Sequence, residues 1–275
     1  MSLKGKVALV TGSSNGIGAE SAIQLAKRGC HVTITGRNKE RLDAVKEKCL
    51  AAADGVKVFS CIGDVTDSAH LRNLVESTIK ELGPIDVLVN NAGGVAKGSK
   101  MGTVEQSSMS DYESYMKLNV GSVVELTKLC IPTLKETKGA IINISSIASM
   151  LPSKYAPWYG MSKAALDYFT TVLANELGPQ NVRANSINPG AIRTGILASS
   201  GMGGDDEEGM WNLMAQMSLN NTLGQPIDIA EMVVFLAGDT GRFINGHLLV
   251  IDGGALLKKF NMAAIVDDMV KNKGK

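Results

Sequence analysis

The chain alternates between two hydrophobic patterns. Short runs almost continuous in Val, Ile and Ala are separated by longer stretches whose apolar positions recur at helical spacing. The runs Val7–Val10, His31–Thr35, Val56–Ile62, Ile85–Asn90, Ala140–Ser145, Val182–Asn188 and Leu248–Ile251 predict seven strands. A strand apolar on both faces suits a parallel sheet covered by helices on either side, because neither face then meets water. The intervening periodicity predicts helices over residues 16–28, 38–52, 67–82, 110–136, 157–177 and 226–237. Strand–helix alternation implies right-handed crossovers. The expected architecture is therefore α/β: a doubly wound, seven-stranded parallel sheet in a single domain spanning residues 1–254.

Two segments depart from this rhythm. Residues 193–224 carry Gly201, Gly203 and Gly204, the acidic run Asp205–Glu208, and an amphipathic piece rich in Met. A stretch this long inside a compact domain suggests a substrate lid, with the acidic run as its solvated tip. Residues 255–275 form a short amphipathic tail ending in Lys-Asn-Lys-Gly-Lys, expected to fray at its end.

Composition narrows the function classes. Twenty-eight basic residues against 27 acidic ones leave a net charge of +1, so no long-range field draws the chain to nucleic acid or an anionic membrane. The first ten residues lack the apolar run of a secretory signal, and no uncharged apolar stretch is long enough to span a bilayer. A cytoplasmic location is expected. Cys30, Cys49, Cys61 and Cys130 form no CxxC pair, and His31, His70 and His247 are scattered. The cysteines read as buried thiols, and a metal site is not expected.

Chemistry enters at the end of the first strand, with Thr11-Gly12-Ser13-Ser14-Asn15-Gly16-Ile17-Gly18 leading directly into a helix. Glycines allow a tight turn and a close approach to a pyrophosphate, and a helix N-terminus offers unpaired N–H donors. The spacing is GxxxGxG. Alone it also fits any tight strand-to-helix turn. The second strand ends in Gly36-Arg37-Asn38. An acidic residue there would accept from a ribose 2′-hydroxyl and repel a 2′-phosphate, whereas the planar fork of Arg37 suits a phosphate. NADP(H) is thus preferred over NAD(H), with a solvated arginine capping the strand as the alternative.

Tyr159 and Lys163 lie four apart at the start of a predicted helix and share one face. A tyrosine with its ordinary pKa near 10 is a poor base at neutral pH, and lowering it to about 7 takes roughly 4 kcal/mol. An ammonium at about 4 Å supplies that much at an effective dielectric of 20. The pair can therefore serve as an acid/base, although a surface Tyr with a Lys neighbour would present the same spacing.

Taken together, TGxxxGIG at 11–18, Asn90-Asn91-Ala92-Gly93, Ser146, Tyr159xxxLys163 and Pro189-Gly190 resemble the short-chain dehydrogenase/reductase family, from about Lys6 to Gly254. The resemblance implies a Rossmann-type fold and hydride transfer between nicotinamide and a carbonyl or secondary alcohol. It implies that Tyr159 is the general acid/base, that Lys163 lowers its pKa and binds the nicotinamide ribose, and that Ser146, rather than the adjacent Ser145, bonds the substrate oxygen. Asn119 would position a water linking Lys163 to solvent. Gly12, Gly16, Ile17 and Gly18 would line the pyrophosphate turn. Ser14, Asn15, Arg37 and Asn38 would surround the 2′-phosphate. Asp64 and Val65 would contact adenine, and Asn91, Ala92 and Gly93 would line the adenosine side. Pro189, Gly190, Ile192 and Thr194 would hold the carboxamide and diphosphate. Asn15 stands where many NADP(H)-dependent members carry Arg or Lys, which places the phosphate mainly on Arg37.

Met202, Met210, Trp211, Leu213, Met214 and Met217 give the lid adaptable apolar surface, and Met150, Leu151 and Trp158 flank the catalytic residues. Met150, Trp158, Met210 and Met214 are the expected substrate contacts beside Ser146 and Tyr159. They suggest a lipophilic or cyclic substrate, unless the lid packs only on the protein itself. The family resemblance also implies a homotetramer or homodimer. The alternatives are a non-catalytic NADP(H)-binding sensor, which has no need of a tuned phenol, and another enzyme on a similar fold. An epimerase of that kind would carry a longer C-terminal domain.

Overall fold

A computed structural model describes residues 3–95, 102–195 and 207–258. All seven expected strands are present: β1 Val7–Thr11, β2 His31–Gly36, β3 Val58–Ile62, β4 Val87–Asn90, β5 Ala140–Ile144, β6 Arg183–Pro189 and β7 Leu248–Ile251. They form one parallel sheet in the order β3-β2-β1-β4-β5-β6-β7. The strand order reverses between β1 and β4, which opens a crevice at their carboxyl ends.

Alternation along each strand divides the core in two. Ala8, Val10, Val87, Val89, Ile142 and Ile144 face one cluster, and Leu9, Leu88 and Ile141 face the other. Helices α1 (Gly16–Lys27), α2 (Lys39–Ala52) and the last long helix, Pro226–Ala237, cover the first face. Helices α3 (Ser68–Leu82), α5 (Ser122–Thr137) and α6 (Pro157–Leu177) cover the second. Asn15, Asn38 and Asp67 cap the first three helices through their side chains, so these helices begin where an acceptor can satisfy the early N–H groups.

One expected helix, 110–136, is interrupted. It divides into α4 (Met109–Met116), a π-helical turn at Lys117–Gly121, and α5. The N–H of Ser122 reaches back five residues to the carbonyl of Lys117, which inserts an extra residue into the turn that carries Asn119. Hydropathy periodicity does not register a one-residue insertion of this kind.

The segment expected to form a lid contains a short helix, α7 (Glu207–Ala215), before α8 (Pro226–Ala237). Glu207 and Glu208 were expected in a solvated loop tip but belong to α7. The Trp211 indole donates to Glu207 Oε1 at 3.2 Å, and Glu208 pairs with Arg193. Gly201, Met202, Gly203, Gly204, Asp205, Asp206 and residues 259–275 of the tail lie outside the described residues. Among the described residues, no helix is long and apolar enough to cross a membrane.

Ile141 is fully buried at the centre of the second core cluster. Ile141→Ala should lower unfolding free energy by about 2–5 kcal/mol, read from urea denaturation at unchanged m-value.

Candidate active site

The crevice is built by backbones in very close contact. A Cβ on Gly12 would sit 2.8 Å from Ala92 Cα, and one on Gly18 would sit 2.3 Å from Asn91 Nδ2 and 2.5 Å from the Gly12 carbonyl oxygen. Asn91 stitches these turns together: its Nδ2 donates to the Thr11 and Gly12 carbonyls at 2.8 and 3.1 Å, and its N–H donates to Thr11 Oγ1 at 3.0 Å. This side chain therefore shapes the glycine turn. Asn15 Oδ1 accepts from the Gly16 N–H, and the Ile17 and Gly18 N–H groups have no helical carbonyl to reach. Thr194 lies beside Gly16, 3.0 Å from where a Cβ would stand. Gly190 is bonded to Ile251, and Ile192 bridges to Gly224, which fixes the loop after Pro189. The donors and bare backbone fit a dinucleotide diphosphate.

At the carboxyl end of β2, Ser14 Oγ lies 3.2 Å from where a Cβ on Gly36 would be. Arg37 is exposed and pairs with Asp64 Oδ2 at 3.5 Å. Burial alone would raise the Asp64 carboxyl, but hydrogen bonds from the Thr66 N–H and hydroxyl, together with Arg37, hold it below the ordinary range. Asn38 Oδ1 is spent on the Arg41 N–H, and Asn15 Nδ2 faces Gly195. Val65 is buried in the second core cluster. Of the expected phosphate group, Ser14 and Arg37 stand at the same corner, and the two asparagines serve as helix caps.

At the other end of the crevice, the Ser146 side chain stands near enough to the Tyr159 phenol to favour its ionised form. Ser146 Oγ accepts from the Ala148 N–H at 3.1 Å, which orients it. Ser145 is buried, and its hydroxyl donates to the Lys163 carbonyl at 3.2 Å. Lys163 is 4% exposed, and its Nζ donates to the Ile144 carbonyl at 2.8 Å and lies 5.8 Å from the Tyr159 ring centroid. Asn119 brackets the Gly94 backbone: its Oδ1 accepts from the Gly94 N–H at 2.8 Å, and its Nδ2 donates to the Gly94 carbonyl at 3.1 Å and to Ser162 Oγ at 3.2 Å. A Cβ on Gly93 would meet Asn119 Oδ1 at 2.7 Å and Lys163 Nζ at 3.3 Å. Asn119 therefore pins the 93–94 loop against the lysine.

The spacing argument expected a phenol acidified by Lys163. The structure differs. Burial pushes the Tyr159 phenol above its ordinary value, and the Ser146 side chain only partly offsets this. Burial also pushes the Lys163 ammonium down to about 8, with the Asp167 carboxylate opposing the shift. Each partner is driven toward its neutral form.

Sequence reasoning missed Tyr115 and Tyr112. Tyr115 is buried, stacks edge-on against Tyr159 with centroids 6.4 Å apart, and is held neutral by burial. Its position four residues before Asn119 is the signal by which it could have been found. Tyr112 makes a similar contact with half-buried Trp158 at 5.5 Å. Met150 is exposed near Ser146 in sequence. Met210 and Met214 are half-buried on α7. Trp211 of the same helix is buried and lines a cleft of about 650 Å³ with Ala19, Ile23, Val45 and Lys48 of α1 and α2. Ser146, Trp158 and Tyr159 are not in that lining, so α7 borders a cleft shared with α1 and α2.

Comparison with known proteins is extensive. The family model described as enoyl-(acyl carrier protein) reductase matches residues 12–255. An uncharacterized oxidoreductase from Methylorubrum extorquens is 38% identical, with 92% of this chain and 98% of that protein covered. A Caenorhabditis elegans short-chain dehydrogenase/reductase of unknown function, solved with cofactor, superposes with a TM-score of 0.86 at 37% identity, covering 92% of this chain and 96% of that one. The apo glucose dehydrogenase of Caenorhabditis elegans superposes at 0.79 with 39% identity, covering 94% and 100%.

The depressed Lys163 value generates a linkage test. Between pH 8 and 10.5 the folded chain holds fewer protons at this site than the unfolded chain, so the cost of burying the cation fades as pH rises. Relative to Lys163→Met, the wild-type protein should gain about 2–3 kcal/mol of stability between pH 7 and pH 10, measured by denaturant unfolding at each pH.

Proposed function

The chain belongs to the short-chain dehydrogenase/reductase family, and from that premise we propose that it is an NADP(H)-dependent oxidoreductase acting on a carbonyl or secondary alcohol, with Tyr159 as the acid/base. One observation carries the reading: the Tyr159 phenol is within the influence of the Ser146 side chain, and the buried Lys163 Nζ lies 5.8 Å from its ring centroid.

When bound, reduced nicotinamide supplies the hydride for the carbonyl carbon. The chain supplies the proton and the geometry. A phenol kept protonated by burial is an acid at rest, so Tyr159 donates its proton to the carbonyl oxygen as charge builds there. Ser146 hydrogen-bonds the same oxygen and fixes its position. The Lys163 ammonium, still mostly charged at pH 7, stabilises the phenolate left behind, and in alcohol oxidation it eases removal of the alcohol proton. Asn119 keeps the loop at Gly93 and Gly94 in place beside the lysine.

Arg37 beside Ser14 and Gly36 supports NADP(H). Its contact with Asp64 is exposed and worth at most about 1 kcal/mol, so a 2′-phosphate can take the guanidinium over. Met150 and Leu151, both exposed near the site, support a lipophilic substrate, and the sugar substrate named for the solved glucose dehydrogenase supports a cyclic one. Met210 and Met214 complete that surface if α7 moves over the crevice. Edge strand β7 is half-exposed along its length, which supports a homo-oligomer joined at that edge.

Purified protein should oxidise NADPH in the presence of at least one member of a panel of steroids, quinones, cyclic ketones and sugars; silence across the panel counts against the reading. Tyr159→Phe should reduce kcat by about a thousandfold while NADPH affinity stays within about threefold. Arg37→Asp should weaken NADPH about 10- to 100-fold and leave NADH nearly unchanged, as titrated by nicotinamide fluorescence.

A further inference from the structure

Beneath Ser146, Tyr159 and Lys163 lies a buried polar cluster that touches none of the reacting groups. Asp167 stands on α6 one turn beyond Lys163 and is 5% exposed. Its Oδ1 accepts from Ser186 Oγ at 3.0 Å and its Oδ2 from Asn188 Nδ2 at 2.7 Å. Ser186 and Asn188 are fully buried on β6. Asn188 Nδ2 also donates to Ser149 Oγ at 3.1 Å and to the Ser146 carbonyl at 3.3 Å, and Ser149 Oγ donates to that carbonyl at 2.8 Å. One carboxylate thus joins α6, the end of β6 and the turn that carries Ser146.

Hydrogen bonding alone does not call for a carboxylate here. An asparagine would satisfy a hydroxyl and an amide without the cost of burying a charge. What the carboxylate adds is its charge, and Lys163 lies roughly 6 Å away along the helix axis. Burial drives Lys163 toward the neutral amine, and Asp167 is the charge that opposes it. Among the described residues, the other ionisable groups facing this lysine are Tyr159 on the same helix and Tyr115 on α4, both kept neutral by burial. Asn119 and the Ile144 carbonyl bring dipoles but no charge.

Resting on the hydride-transfer reading, we propose that Asp167 is a positioning residue of this site. It keeps Lys163 as an ammonium and, through Asn188, fixes the turn that presents Ser146 to Tyr159. Removing the charge frees Lys163 to lose its proton nearer neutrality, and removing the amide loosens Ser146.

The test is NMR titration of protein labelled with ¹³C at the lysine ε-carbon, with the Lys163 signal identified by its loss in Lys163→Arg. Wild-type Lys163 should titrate near 8, and in Asp167→Asn about one pH unit lower or more. Asp167→Ser keeps a hydroxyl for Asn188, carries the same expectation, and stands in if the amide variant does not fold. Asn188→Ala retains the charge, so it should leave the Lys163 titration in place while kcat falls about tenfold at constant KM for NADPH. A Lys163 midpoint unmoved by Asp167→Asn, or a kcat unmoved by Asn188→Ala, overturns the proposal. The titration needs no substrate, so a lowered midpoint in a protein that oxidises no NADPH would count against the oxidoreductase reading and leave the link between Asp167 and Lys163 standing.

Discussion

A cation held out of water at the end of the sheet governs this site. Lys163 is almost wholly enclosed, its ammonium tied to the Ile144 carbonyl, and burial presses it toward the amine. Burial also presses the adjacent Tyr159 toward the phenol. Both pressures favour neutrality, so the enclosed pair resists the charge separation that acid/base work requires. Among the described residues, protein groups oppose that resistance at two points: the Ser146 side chain at the phenol, and the Asp167 carboxylate at the ammonium. Under the proposed function, bound oxidised nicotinamide would add a positive charge that favours the phenolate when the phenol must act as a base.

The fold makes such a site affordable by building its surroundings from main chain. At the reversal between β1 and β4, the glycine turn, the Asn91 amide and the Ala92–Gly93 loop interlock too closely for an added Cβ at Gly12 or Gly18. The π-helical turn serves the same end on the opposite wall. Its extra residue sets Asn119 so that one amide brackets both polar groups of Gly94. Rigid backbone then presents dipoles where flexible side chains would have to be ordered at an entropic cost.

Much of this was legible in the sequence. Two-sided apolar runs and their alternation with helical periodicity implied the seven-stranded sheet, because burial of both faces leaves a direct compositional trace. Ser146, Tyr159 and Lys163 were legible as a group through the family resemblance, because the four-residue spacing of Tyr159 and Lys163 alone also fits a surface pair. Other features leave weaker traces. The π-turn depends on one extra residue within an unbroken apolar pattern. The side-chain employments of Asn15, Asn38 and Asn91 depend on tertiary neighbours, and each residue type serves equally well as a cap or as a ligand contact. Spacing conveys the distance from Tyr159 to a charge and says nothing about depth of burial, which raises the phenol in the free protein. Asp167 had the same i+4 relation to Lys163 that Lys163 has to Tyr159, yet its partners Ser186 and Asn188 come from a distant strand.

The central claim is that one half-buried phenol is held protonated by its surroundings and would be released by a second positive charge. Ultraviolet titration of tyrosinate, taken as the difference between wild-type protein and Tyr159→Phe, reads that phenol directly. The account predicts a midpoint above the ordinary tyrosine value in the free protein and a clear fall toward neutrality when NADP⁺ is saturating. A midpoint that is the same with and without NADP⁺, or a difference spectrum with no titrating tyrosine, would contradict it.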